Sequence, residues 1–221
     1  MKNLLLLAAF ALALASCGNN SEAVEAEVGE ELAENAGSQV RQGVAYNVVP
    51  AESQVLWTGG KVTGDKHTGS MNVSTGRLAV AGGDFIGGEF TIDIASLNVT
   101  DLDENSGKGK LEGHLKNEDF FDVAKYPDAK FTIVQVQPVS GKPDITHNIT
   151  GNLTMKGVTK SVTIPANVVV TDATVTAVSP SFSIDRNDWG MSYGSGLAGA
   201  VGDNIINDEV DLVINLKASR A

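Results

Sequence analysis

Three histidines, an adjacent Asp-Arg pair and a single cysteine are the residues of this 221-residue chain on which chemistry could be built. His67, His114 and His147 fall in separate segments, and no H-x-H or H-x-x-x-H spacing puts two imidazoles on one face. Neither a metal nor another cofactor is expected. The chain also lacks the G-x-S-x-G nucleophile turn and the G-x-x-x-x-G-K-[ST] phosphate loop. Asp185 and Arg186 are neighbours, so in a strand they point to opposite faces and cannot pair with each other. Arg186 offers a bidentate fork that suits a phosphate-bearing head group. It could equally hold a loop through a carboxylate such as Asp203.

The elements that would position these groups read as strands. From Tyr46 onward, short alternating runs such as Glu89 to Ile94, Asn152 to Met155 and Asp211 to Leu216 recur between Gly- and Pro-containing turns. Apolar residues at i, i+2 and i+4 turn one face to a dry interior. Val, Ile and Thr suit that geometry. About eight strands are predicted, near 46–49, 53–63, 67–80, 84–96, 129–137, 145–156, 158–180 (more than one strand) and 205–217. One short helix is expected near Lys108 to Asn117, where Leu111 and Leu115 stand four apart, with a further turn at 118–124. Long βαβ alternation is missing, which argues against a parallel α/β sheet. The expected fold is all-β and antiparallel, either a sandwich or a closed barrel. Eight strands close a barrel just wide enough to be filled by side chains or to hold one small ligand. Low aromatic content, 5% of residues, favours interior room.

Composition narrows the partners. A net charge of −11 argues against nucleic acid, which requires a basic surface. Residues 1–16 read as a signal peptide: Lys2 precedes the apolar run Leu4 to Ala15. That run is shorter than the about 20 residues a membrane span needs. It ends in Leu14-Ala15-Ser16-Cys17, which resembles the lipobox of bacterial lipoproteins. The resemblance implies an acylated Cys17 as mature N-terminus and lipid anchor. The expected location is then the bacterial cell envelope, at the outer membrane on its periplasmic or surface face. Residues 17–45 carry six glutamates against Arg41 alone and no aromatic residue, so they are expected to form a flexible acidic tether. Residues 46–221 form the folded domain.

Three ordered segments of that domain resemble the YceI family of bacterial exported proteins. Leu115-Lys116-Asn117-Glu118-Asp119-Phe120-Phe121-Asp122-Val123-Ala124-Lys125-Tyr126-Pro127 through Phe131 is similar to the family's L-x-x-x-x-F-F-D-V-x-x-Y-P-x-x-x-F stretch. Gly151-Asn152-Leu153-Thr154-Met155-Lys156-Gly157-Val158-Thr159-Lys160 resembles its G-x-L-T-x-x-G-V-T-K hairpin. Ile184-Asp185-Arg186-Asn187-Asp188-Trp189-Gly190-Met191 resembles I-D-R-x-x-[FW]-G-M. The lipobox and acidic tether depart from the plain signal peptide of many relatives.

The resemblance implies a lipocalin-like antiparallel β-barrel with a small helical element. It also implies that a long isoprenoid or other lipid is held inside for storage or transport, without catalysis. Candidate lining residues are Phe90, Ile92 and Ile94, Leu115, Phe120 and Phe121, and Phe131. Leu153, Met155, Phe182, Ile184 and Trp189 complete the set, with Arg186 as head-group candidate. Phe120 and Phe121 would line the tunnel or its mouth, or else plug the core under the helix. Trp189 is expected over the barrel end with its N–H kept wet. Lys156-Gly157 reads as a hairpin turn. Two barrels could pair through their ends or outer faces. A hydrolase using the scattered His and Asp residues, or a packed barrel acting as an interaction module, are the alternative functions.

Overall fold

The computed structural model describes residues 23–33 and 43–221. The signal run, Cys17 and residues 18–22 and 34–42 of the proposed tether lie outside the described residues. Among the described residues, no helix is long and apolar enough to cross a membrane.

Twelve strands form one sheet: β1 (Val24–Glu25), β2 (Glu27–Gly29), β3 (Val44–Val48), β4 (Gln54–Gly60), β5 (Lys66–Ala81), β6 (Asp84–Val99), β7 (Asp128–Pro138), β8 (His147–Met155), β9 (Val158–Val170), β10 (Thr174–Val178), β11 (Phe182–Asp185) and β12 (Glu209–Arg220). One helix, α1 (Lys108–Lys116), follows β6. Strands β5 to β10 run as an antiparallel meander. β12 closes the ring, pairing β10 and β11 on one edge and β3 and β4 on the other. β3 and β4 in turn pair β5. The sheet therefore has no open edge along this circuit, and the expected antiparallel barrel is what forms.

Inward positions follow the alternation, with one change of phase. On β6, Phe90, Ile92 and Ile94 are buried, and then Leu97 and Val99. An irregularity between them lets both sets face in. Asp93 Oδ1 accepts from the Ser96 amide at 3.2 Å, and Ser96 Oγ donates to Asp93 O at 2.6 Å. The Asn72 amide donates to Ser96 Oγ at 2.8 Å across the register shift in β5. Period-2 reading stops at Ser96; the stitched bulge carries the strand three residues further.

Two further departures from the sequence reading concern strands it did not expect. β11 lies inside the Asp-Arg motif, where Gly and charged residues mask a strand of only four residues. More consequentially, part of the expected flexible tether is ordered. β1 runs parallel to β11, and β2 antiparallel to β9. β11 pairs β12 but not β9, so these two short strands fill the seam between them. Ala26 is buried and Val28 packs on the core. The Asn152 side chain holds Leu32 through both its amide and its carbonyl, at 2.9 and 2.7 Å. Few apolar residues are needed here, because the seam is bridged mainly by backbone hydrogen bonds.

Candidate functional site

The barrel interior is divided. Its lower part is packed by Phe85, Phe90, Phe131, Ile133, Ile149 and Ile164, which leave a void of only about 30 Å³. The Phe90 and Phe131 rings meet at 5.5 Å between centroids. They form a floor. Gly151 makes room for the Phe131 ring, since a Cβ there would lie 2.6 Å from its Cζ.

Above that floor lies a cavity of about 1330 Å³. Its walls are apolar: Val55 and Trp57 from β4, Met71 from β5, Ile92, Ile94 and Leu97 from β6, Leu153 and Met155 from β8, Ile184 from β11, and Leu212 from β12. Helix α1 roofs it with Leu111 and Leu115, whose four-residue spacing puts both on one helix face. Lys108 Nζ reaches Asn98 Oδ1 at 2.9 Å, and Glu112 Oε1 accepts from the Val99 amide at 2.8 Å. These contacts peg the helix over the end of β6. Phe120 and Phe121 follow and also face the cavity.

The mouth opens between the β4–β5 connection and the loop before β12, where Lys61, Asp65, Lys66 and Asn204 form an exposed polar rim. Two histidines stand there, each with its own aspartate. His67 Nδ1 lies 2.8 Å from Asp101 Oδ2, and His114 Nε2 lies 3.1 Å from Asp119 Oδ2. Burial pushes the Asp101 carboxyl up, but hydrogen bonds from the Thr68 amide and His67 outweigh it and hold the group below the usual range. His114 also packs edge-on against Phe120 at 5.1 Å and Tyr193 at 4.8 Å. His147 lies elsewhere, at the start of β8. Among the described residues, no three His, Cys, Asp or Glu gather into a metal-binding group.

Of the lining candidates read from sequence, Ile92, Ile94, Leu115, Phe120, Phe121, Leu153, Met155 and Ile184 meet at this cavity. Four do not. Phe90 and Phe131 are in the floor, and Phe182 and Trp189 are buried in the wall. The Trp189 N–H is not wet as expected; it donates to Leu153 O at 3.1 Å inside the protein. Cys17 lies outside the described residues. Lining residues that sequence reading passed over include Val55, Trp57 and Met71, although the inward alternation of Val55 and Trp57 was visible.

Arg186 touches the cavity but is 3% exposed and heavily engaged. Nε donates to Asn207 O at 3.0 Å, Nη1 to Met191 O, and Nη2 to Asp208 Oδ1 at 3.0 Å and Ile206 O at 3.4 Å. Its carboxylate partner is thus Asp208, not the expected Asp203, which sits in an exposed turn. Asp208 Oδ2 in turn accepts from Ser195 Oγ at 3.0 Å. Burial lowers the guanidinium's pKa, while Asp208 and Asp185 favour its charge. The hairpin expected at Lys156-Gly157 forms, with φ of 50° and 77°, the left-handed pair a two-residue turn uses. Lys156 Nζ then ties Glu118 O at 2.9 Å, fastening the Phe120–Phe121 segment to the hairpin.

Comparison with known proteins agrees with this architecture. The YceI-like domain family matches residues 46–218. Protein YceI of Escherichia coli is 39% identical over 74 residues, which is 34% of this chain and 36% of that protein. A UPF0312 protein of Pseudomonas putida is 46% identical over 61 residues, 28% of this chain and 30% of that one. The aligned stretches thus span only about a third of these relatives. Among solved structures, BcnA of Burkholderia cenocepacia aligns with a TM-score of 0.60 and 26% identity, covering 77% of this chain and 99% of BcnA. A polyisoprenoid binding domain from Saccharophagus degradans, implicated in plant cell wall breakdown, aligns with a TM-score of 0.60 at 18% identity, covering 80% and 99%.

Proposed function

The chain belongs to the YceI-like family, and from that premise we propose that it holds one long-chain isoprenoid or similar amphiphile in its barrel for storage or transport. The observation that carries this reading is the apolar cavity of about 1330 Å³ above the phenylalanine floor. It exceeds the about 300–1,000 Å³ of ordinary small-molecule pockets. Its wall is aliphatic and aromatic, so affinity comes from burying hydrocarbon, at about 0.8 kcal/mol per CH₂. Polar groups stand at the rim, where an amphiphile's head would meet water. The likeness to a polyisoprenoid binding domain supports the same ligand class.

Acylated Cys17 ties the barrel to a membrane of the bacterial envelope in this reading. Several acyl chains give stable attachment where one does not. Binding rather than catalysis is proposed, since the cavity wall is mainly hydrocarbon and His67 and His114 each pair with a separate aspartate.

Organic extraction of protein purified from native membranes, followed by mass spectrometry, tests the ligand. A stoichiometric long-chain lipid is expected. Repeated absence of lipid, with a melting temperature indifferent to added polyprenyl lipids, would overturn the reading. Cys17→Ser is expected to move the protein from the membrane to the soluble fraction.

A further inference from the structure

Trp57 is 8% exposed and lines the cavity, yet its indole Nε1 has no hydrogen-bond partner. It is the one buried side-chain donor in that state among the described residues. Buried polar groups are satisfied in the large majority of cases, so an exception points to an acceptor that the chain does not supply. The other tryptophan makes the contrast: Trp189 Nε1 donates to Leu153 O.

The ring is held in place by its neighbours. Trp57 pairs Gly69 across β5 and Leu212 across β12. A Cβ on Gly69 would lie 2.4 Å from Trp57 Cζ2, so the missing side chain is what lets the indole lie over that strand. Water is a poor partner here, since an ordered water needs two to four polar contacts. Leu212 pairs Trp57 across β12, and Val55 and Met71 are the next pair on the same face of β4 and β5; all three are apolar. An oxygen carried in on an apolar chain needs no such support.

Two residues along each strand, toward the mouth, Gly59 pairs His67. Side chains two apart share a face, so His67 is the next inward group on this ladder, about 7 Å on. It also lines the cavity. Asp101 fixes its Nδ1 at 2.8 Å, leaving Nε2 for a polar group. Trp57 and His67 thus make a polar stripe on one wall of the cavity. Arg186, with its donors committed to Asn207, Met191, Ile206 and Asp208, makes no comparable offer.

We propose that Trp57 is a specificity-determining contact, donating its indole N–H to an oxygen of the bound lipid, so that the barrel selects oxygen-bearing isoprenoids over pure hydrocarbons. This rests on the reading of the cavity as a lipid site and assigns which end of the lipid lies against β4 and β5.

The test compares squalene with a prenol of the same carbon count, on wild type and Trp57→Phe. The variant keeps most of the ring and removes the N–H. It is expected to lose about tenfold in affinity for the prenol and to bind squalene as wild type does. In ¹H–¹⁵N spectra of the wild type, the Trp57 indole resonance is expected to shift on adding prenol and not squalene, with Trp189 as internal reference. Equal loss for both lipids would mean that the ring only packs, and would overturn the proposal. So would unchanged binding of both, or an indole resonance that prenol leaves unmoved; the last holds even if the variant fails to fold. These results leave the storage reading standing. Wild-type protein that takes up neither lipid overturns both.

Discussion

Arg186 directs Nε, Nη1 and Nη2 at Asn207, Met191, Ile206 and Asp208, and a guanidinium so committed cannot turn to a ligand without releasing the loop that it holds. Its type made it a reasonable head-group candidate from sequence. Only the fold shows four acceptors already around it. Arg186→Leu is expected to lower stability by about 3 kcal/mol in denaturant unfolding, since the Asp208 carboxylate and several carbonyls lose their partner. A loss under about 1 kcal/mol would contradict the clamp. His147 bears on pH. Burial depresses its pKa below the usual value, with Asp84 opposing. The unfolded chain therefore binds this proton more readily, and the contribution is present above the unfolded pKa near 6.5 and lost as pH falls through the folded value. Melting temperature should fall on acidification from pH 7 toward 5, and His147→Gln should flatten that slope, measured as the difference between the two proteins.

At the scale of elements, β1 and β2 matter beyond their length. They fill the seam between β9 and β11, and Lys160 Nζ meets Glu30 Oε1 at 2.9 Å at their end. That ion pair is surface-exposed on the glutamate side and adds little; the backbone bonds and buried Ala26 carry the contact. Both strands lie outside the family-matched residues 46–218. A variant lacking residues 24–32 but retaining the rest is expected to melt about 5–10 °C lower, from a loss of about 2–3 kcal/mol. The amides of Ser161, Thr163 and Ser183 should exchange faster with solvent. Unchanged melting and exchange would show the seam to be closed without them. The strands escaped sequence reading because glutamate-rich composition and the lack of apolar alternation argue for a spacer, whereas edge pairing depends on the backbone.

For the whole molecule, the division into packed floor and open upper cavity is the feature on which function depends. Filling the cavity should separate folding from binding. Ile94→Trp, facing the cavity from β6, is expected to leave the far-ultraviolet circular dichroism unchanged and to reduce co-purified lipid at least several-fold by mass spectrometry. A variant that retains full lipid occupancy would place the ligand elsewhere.

The sequence by itself determined the antiparallel β domain, the helix near Lys108–Lys116 and the Lys156-Gly157 turn, because alternation and turn chemistry are local properties; closure as a barrel and the lining set came from the family resemblance. It could not decide which inward-facing residues fill space and which surround it. Phe90 and Ile92 occupy the same face of β6, yet one is floor and the other wall: on the neighbouring β7 the Phe131 ring stands opposite the first, and only Ala129 stands opposite the second. Nor could it show that Arg186 is saturated, that Trp189 has an acceptor and Trp57 has none, or that an acidic leader closes the wall. Each depends on residues distant in sequence arriving at one place, and that follows from closure of the sheet.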